Sequence, residues 1–424
     1  MLTRLWALAR EYRDVNWSLM DQALVSGSNF LTGVLIARAL GLEGFGMFAL
    51  IWLIAVFIQN IQHAIINTPL LTYGAQANEE DRPTQLGAVM IRQLVFSGAS
   101  TLLTFVTMVA TMAMQEIPNI GMAAALSACI ATTQWQDFFR RLYFTVDKPF
   151  VATLVDSVRY LGQPLFLLVL LAFSAETLSV TTVLWITALT AGLSCLAALF
   201  SLPKIQAPGA EFNAINDLHW EFGKWMAGTA ILQWIALNIF TLLSGALLGP
   251  AYAGALKATQ SLLGILHIPF FALDNFLPSR GSRALQTDGS VGLDKMLTSY
   301  LLYGTGAVLG VALIFFVAPA FWLGMVFGED FTAHADILRW YGLIYVFYFI
   351  NLIYRFGLRI LGKTQAIFAG YVAAVGILAV VAYPLLLNFG LAGAVFGLAA
   401  VPLIHLAVLY PGYRKALMRK EPPA

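Results

Sequence analysis

Charge is scarce in this chain. Asp, Glu, Lys and Arg make up only 11% of 424 residues, against 59% hydrophobic ones, and the mean hydropathy is +0.78. A soluble domain carries roughly a quarter charged residues, so that class is excluded and the chain reads as a polytopic membrane protein. Cysteine is scarcer still. Cys129 and Cys195 sit in apolar runs with no His or Cys at metal spacing, so they read as packing residues rather than a disulfide or metal ligands. Also missing are a phosphate-cradling glycine loop, a metal-spaced His or Cys cluster and a Ser, His, Asp arrangement supported by spacing. The longest loops have about 10 to 20 residues, too few for a catalytic domain, and no enzyme activity, cofactor, metal or ATP use is expected. The opening residues Arg4, Arg10, Glu11, Arg13 and Asp14 are too charged for a signal peptide. A formal charge of +2 gives no indication of a nucleic-acid partner.

What is present is a series of apolar runs long enough to cross roughly 30 Å of hydrocarbon, about twelve in all. They are Trp17 to Leu40, Phe45 to Thr72, Leu86 to Met114, Gly121 to Phe144, Phe150 to Phe173, Val180 to Leu202, Phe222 to Leu248, Ala253 to Pro278, Met296 to Phe321, Ala335 to Leu361, Gln365 to Leu387, and Leu391 to Tyr410. Cations gather at the amino terminus and after every second run, at Arg82, at Arg140, Arg141 and Lys148, at Lys204 and Lys224, at Arg280, Arg283 and Lys295, at Arg359 and Lys363, and from Arg414 to Lys420. The connections near Glu116, Glu176, Pro250 and Asn388 have none. By the positive-inside rule both termini are expected in the cytoplasm of a multi-pass protein.

Sliding the second half by about 208 positions reveals a weak internal repeat. Trp17 falls on Trp225, Leu40 and Gly41 on Leu248 and Gly249, Gly46 on Gly254, and Asn67 on Asn275. The expected organisation is an amino-terminal six-helix lobe, residues 1–202, a cytoplasmic linker, 203–221, and a carboxy-terminal six-helix lobe, 222–424, with a basic tail. Two such lobes would be related by a pseudo-two-fold axis along the membrane normal, with a site between them.

Polar residues inside these runs are the candidates for chemistry, because hydrocarbon leaves them only a bundle interior or a water-filled cavity to face. On the second run Gln59, Gln62, His63 and Asn67 form one helical stripe, and on the eighth Lys257, Gln260, Gly264, His267, Phe271 and Asp274 form another. Each stripe either lines a cavity or bonds to neighbouring helices. Arg159 lies near the middle of the fifth run with Asp156 three residues earlier, so it either neutralises that carboxylate or holds an anion, for which its fork suits phosphate. Arg92 is a further candidate cation, or an anchor snorkelling to the interface. Arg355 and Arg359 begin a basic series that suits the approach of a lipid diphosphate headgroup, or is ordinary positive-inside charge. Asp21 and Asp274 are candidates for a coupling ion.

Trp17, Asp21, Gln22, Ser26, Asn29 and Phe30, then Ala37, Arg38, Leu40, Gly41, Phe45, Gly46 and Phe48 resemble the opening of bacterial polysaccharide flippases of the Wzx type. Phe327, Gly328, Phe331, Ala335, Leu338 and Arg339, then Leu358, Arg359, Leu361, Gly362, Lys363 and Thr364 resemble a later segment of the same family. The resemblance implies the multidrug, oligosaccharidyl-lipid and polysaccharide exporter fold, two six-helix lobes around a central cavity. It also implies transport of an undecaprenyl-diphosphate-linked oligosaccharide across the inner membrane by alternating access, for O-antigen, capsule or exopolysaccharide synthesis, beside membrane lipids and other assembly proteins. Headgroup and sugars would meet Arg159, Lys257, Arg92, Gln59, His63, Gln260, His267 and Phe271. A cation-coupled multidrug antiporter of the same superfamily is the alternative.

Overall fold

A computed structural model describes residues 2–114, 119–174 and 178–418, and within these the side chains of 2–16, 19, 268, 271, 272 and 275 are outside the description. The connections at Glu116 and Glu176, the tail cations Arg419 and Lys420, and the side chains of Phe271 and Asn275 therefore lie outside the described residues. Among the described residues every regular element is helical. Hydrocarbon dictates this, since a helix satisfies its own backbone donors and acceptors.

Three long helices, Leu2–Gln62, His267–Val317 and Gln365–Met418, are each broken at one glycine, Gly41 (φ 67°), Gly289 (φ 65°) and Gly390 (φ 53°). Positive φ costs glycine little, so the helix kinks there without a longer loop. The spans are then α1 (2–40), α2 (42–74), α3 (Arg82–Met114), α4 (Ile120–Thr145), α5 (Pro149–Ser174), α6 (Val180–Leu199), α7 (Phe212–Leu247), α8 (250–288), α9 (290–317), α10 (Ala335–Ile360), α11 (365–389) and α12 (391–418). Asn119 and Ser179 accept the Met122 and Thr182 amides and start α4 and α6. Pro250 and the Pro319 of a short helix, Pro319–Phe327, occupy first-turn positions where no amide is needed.

The chain packs as two compact units. The first takes residues up to Leu40 and Ile51–Ile231, the second Gly41–Leu50 and everything from Leu232. In the first unit the linker after α6 is held against α3: the Gln206 amide donates to the Pro83 carbonyl at 3.0 Å, and a Cβ added to Gly87 would collide with the Gln206 backbone. The core there joins Ile66, Leu86, Phe138, Phe139 and Tyr143. In the second unit the start of α2 lies on the start of α8 with only glycine between the backbones, since a Cβ on Gly46 would overlap Pro250. Gly254, the residue matched to Gly46 by the repeat, is part of that contact. Phe45 stacks on Phe327 and meets Phe331 edge-on, closing the same corner.

Candidate functional site

One end of α2 departs from α-helical geometry, with π-helical turns at His63–Asn67 and Leu70–Gly74 on either side of Pro69. Proline has no amide to give the carbonyl four residues earlier, that of Ile65, and the wide turns relieve its clash with that carbonyl. Arg92 on α3 supplies the missing donor. Its guanidinium reaches the Ile65 carbonyl at 2.9 Å and the Asn216 carbonyl and side-chain oxygen at 3.0 and 2.9 Å. Arg92 thus ties α2, α3 and the start of α7 into the first unit.

The rest of the α2 stripe divides by direction. Gln62 and Asn67 are buried, Gln62 donating to Gln93 and the Gln134 carbonyl and Asn67 to Asp137 at 2.7 Å. Gln59 is half-buried and His63 exposed, so these two face away from that packing.

Deeper in the first unit lies a charged network. Arg140 on α4 forms ion pairs with both Asp21 of α1 and Asp156 of α5, the latter at 2.7 Å. Gln136 donates to Asp156 and accepts from Arg159, whose guanidinium also stacks over Tyr160 at 4.8 Å. Asp21 and Asp156 are wholly buried and Arg159 is 5% exposed. Arg141 pairs with Asp137 at 3.5 Å one helical turn away. Three arginines thus answer three aspartates. Gln163 donates to Thr187 on α6 and completes the polar seam. Arg159 meets Asp156 through Gln136. Arg140 and Gln136 are residues that sequence reasoning assigned no role in a site. The signal was present: Gln136 and Arg140 are four apart on one helix, and Asp156 and Arg159 three apart on the next, which is complementary chemistry at helical spacing.

The second unit has a different polar surface. On α8, Lys257 is half-buried and makes no side-chain hydrogen bond or ion pair among the described residues. Gln260, one turn on, lies beside the Tyr341 hydroxyl of α10. A 3₁₀ turn, Gly264–Leu266, follows, and then His267, exposed, whose Nε2 is 3.2 Å from the Tyr345 hydroxyl. Farther along α10, Arg355 donates to Tyr371 of α11 at 3.1 Å, and Arg359 pairs with Asp274 at 3.3 Å on an open surface. The headgroup candidate Arg359 and the coupling candidate Asp274 are therefore partners of each other. Tyr341, Tyr345 and Tyr348 of α10 were absent from the sequence reading, although their spacing of four and three places them on one helical face. No metal-binding group of His, Cys, Asp or Glu occurs among the described residues.

No family model matches the chain, and no curated protein matches it in sequence. Solved structures do match. An inward-facing multidrug resistance MATE family transporter of the MOP superfamily superposes with a TM-score of 0.74 at 13% identity, over 95% of this chain and 96% of that one. The lipid II flippase MurJ in an inward closed conformation gives 0.69 at 12%, over 95% and 90%. A MOP superfamily transporter from Pyrococcus furiosus, described as having a binding pocket of reversed polarity, gives 0.64 at 11%, over 97% and 96%. The chain is a multi-pass membrane protein with the fold of these transporters.

Proposed function

We infer that this chain is a flippase, turning an undecaprenyl-diphosphate-linked oligosaccharide from the cytoplasmic to the outer leaflet of a bacterial inner membrane by alternating access. The observation that carries the reading is Lys257. An ammonium group in a membrane span with no partner among the described residues is costly unless an anion comes to it. A diphosphate headgroup is such an anion. Arg355, with one guanidinium nitrogen unpartnered, is the second cation for it, and Arg359 beside Asp274 is where the headgroup first arrives. Gln260 and His267, on the same unit as Lys257, offer hydrogen bonds to sugars. Arg159 and Arg92 are engaged by protein groups and act by shaping the first unit. A lipid flippase among the structures of shared fold supports the reading.

The same fold also serves multidrug transporters, and one observation favours that second reading: Asp21 and Asp156 both bear on Arg140, and a coupling proton could ride on either carboxylate. The experiment that decides is deletion of the gene followed by measurement of lipid-linked oligosaccharide in the cytoplasmic leaflet. Accumulation that the wild-type chain reverses and Lys257→Ala, present in normal amount, does not reverse supports the flippase. Drug sensitivity without any glycan defect supports the antiporter.

A further inference from the structure

A groove of about 380 Å³ opens on the surface of the second unit, between α10 and α12. Ile350 and Tyr354 of α10 line it together with Leu403, Ala407, Tyr410 and Pro411 of α12, and apart from the tyrosine hydroxyls these side chains are apolar. Leu403 and Tyr410 are 44% and 47% exposed although they belong to a membrane span. Its floor is fixed. The Tyr354 ring meets those of Tyr410 and Tyr413 at 5.5 and 5.4 Å, and a Cβ added to Gly357 would collide with Tyr413, so α12 is pressed onto α10 at this end. The α12 residues of the groove recur at steps of three and four, and the next position on that stripe, one turn past Tyr410, is Arg414. Arg414 is exposed and meets Asp294 of α9 only at 3.8 Å, beyond hydrogen-bond reach, while Asp294 already accepts from the Tyr413 hydroxyl at 3.1 Å. Lys415, also exposed, stands beside it. An apolar trough thus ends at two cations.

We propose that this groove is a binding site for an anionic phospholipid, with one acyl chain lying between α10 and α12 and the phosphate at Arg414 and Lys415. Length argues for an acyl chain. From Leu403 to Pro411 the groove runs about 12 Å along α12, close to the depth of one leaflet, about 15 Å. A polyprenyl chain is several times longer than that, so the groove does not fit the tail of the proposed cargo. Tyr354 and Tyr410 stand where the chain meets the headgroup, the level that suits a ring with an apolar body and a polar tip. The guanidinium fork of Arg414 matches phosphate oxygens, and its long, half-exposed pair with Asp294 is weak enough to yield to them. A zwitterionic lipid brings its own cation to Arg414 and Lys415, so the site selects for net negative charge. The bound lipid bridges α10 and α12 and is independent of which cargo the protein carries.

The test uses the full-length protein, stripped of lipid in detergent and titrated with phosphatidylglycerol or with phosphatidylcholine of the same chains, the bound lipid being read by native mass spectrometry. Wild type is expected to hold phosphatidylglycerol about fivefold more tightly than phosphatidylcholine, the advantage that one interfacial cation confers. Arg414→Gln should bring the two lipids within about twofold of each other, and Ala407→Phe, which fills the groove, should weaken both by about fivefold or more. Arg283→Gln removes an exposed cation of α8 that does not line the groove, and should change neither. All three substitutions are at exposed positions, and thermal unfolding checks that the variants are folded. Equal affinity of wild type for the two lipids overturns the site. So does an Arg414→Gln protein that keeps its preference, an Ala407→Phe protein that binds normally, or an equal loss with Arg283→Gln. Displacement of phosphatidylglycerol by an equal amount of undecaprenyl diphosphate gives the groove to the cargo, and a wild-type dimer that Ala407→Phe dissolves gives it to a second copy; either result overturns the proposal.

Discussion

The two units handle buried charge in opposite ways. In the first, Asp21, Asp137 and Asp156 meet Arg140, Arg141 and Arg159 directly or through Gln136, and Arg92 is engaged by the Ile65 carbonyl that Pro69 leaves open and by Asn216 of α7. In the second, Lys257 has no partner among the described residues and Arg355 reaches a tyrosine hydroxyl rather than a carboxylate. The difference teaches how to read ionisable residues in a membrane protein. A charge whose partner lies on an adjacent helix stabilises the bundle, whereas one left open among polar neighbours is waiting for a ligand.

The strongest way to break this contrast is to remove one cation from each unit. Arg140→Leu strands two wholly buried carboxylates, and we expect a loss of about 3–5 kcal/mol, seen as collapse of the thermal transition in detergent. A variant melting like wild type would show that the network is not structural. Lys257→Met makes the same change of charge and should leave the melting temperature almost unaltered while weakening bare undecaprenyl diphosphate at least tenfold, about 1.4 kcal/mol. Should it bind that lipid normally, the open cation has another purpose.

Smaller effects sharpen the comparison. Gly46→Val forces α2 off α8 in the second unit and should cost about 1–3 kcal/mol by overpacking, whereas Gly33→Ala, with nothing near an added Cβ, should be silent. Equal melting temperatures for the two variants would deny the close contact. Arg92→Ala takes the side-chain donor from the Ile65 carbonyl and unties Asn216, about 1–3 kcal/mol, and should speed tryptic cleavage at Lys204 in the linker. A linker as resistant as in wild type would mean that Arg92 does not clasp it. The smallest effect belongs to Asp274→Ala. Its pair with Arg359 is about half exposed on both sides, so stability should change by less than about 1 kcal/mol, and a larger fall in melting temperature would mark the pair as structural.

Apolar length and glycine position alone determined most of the architecture. The spans were legible because a helix must bury about 20 residues to cross the bilayer, and the joint at Gly41 because only glycine turns cheaply there. The candidate stripes on α2 and α8 were legible from helical period, and so were the tyrosines of α10 in principle, since Tyr341, Tyr345 and Tyr348 keep the same period. What no period could disclose was direction. Gln62 and His63 are adjacent in the chain, yet one is buried against Gln93 and the other exposed. Arg140 sits among cations that topology alone explains, and its two carboxylate partners are 119 and 16 positions distant in the chain, so its inward turn depends on α1 and α5 arriving beside α4. Tertiary structure decided which charges are already answered, because a pair forms through space between helices whose contact the one-dimensional pattern does not contain. Lys257 is distinctive for the same reason: its side chain looks ordinary in sequence, and only the packing leaves it without a partner among the described residues.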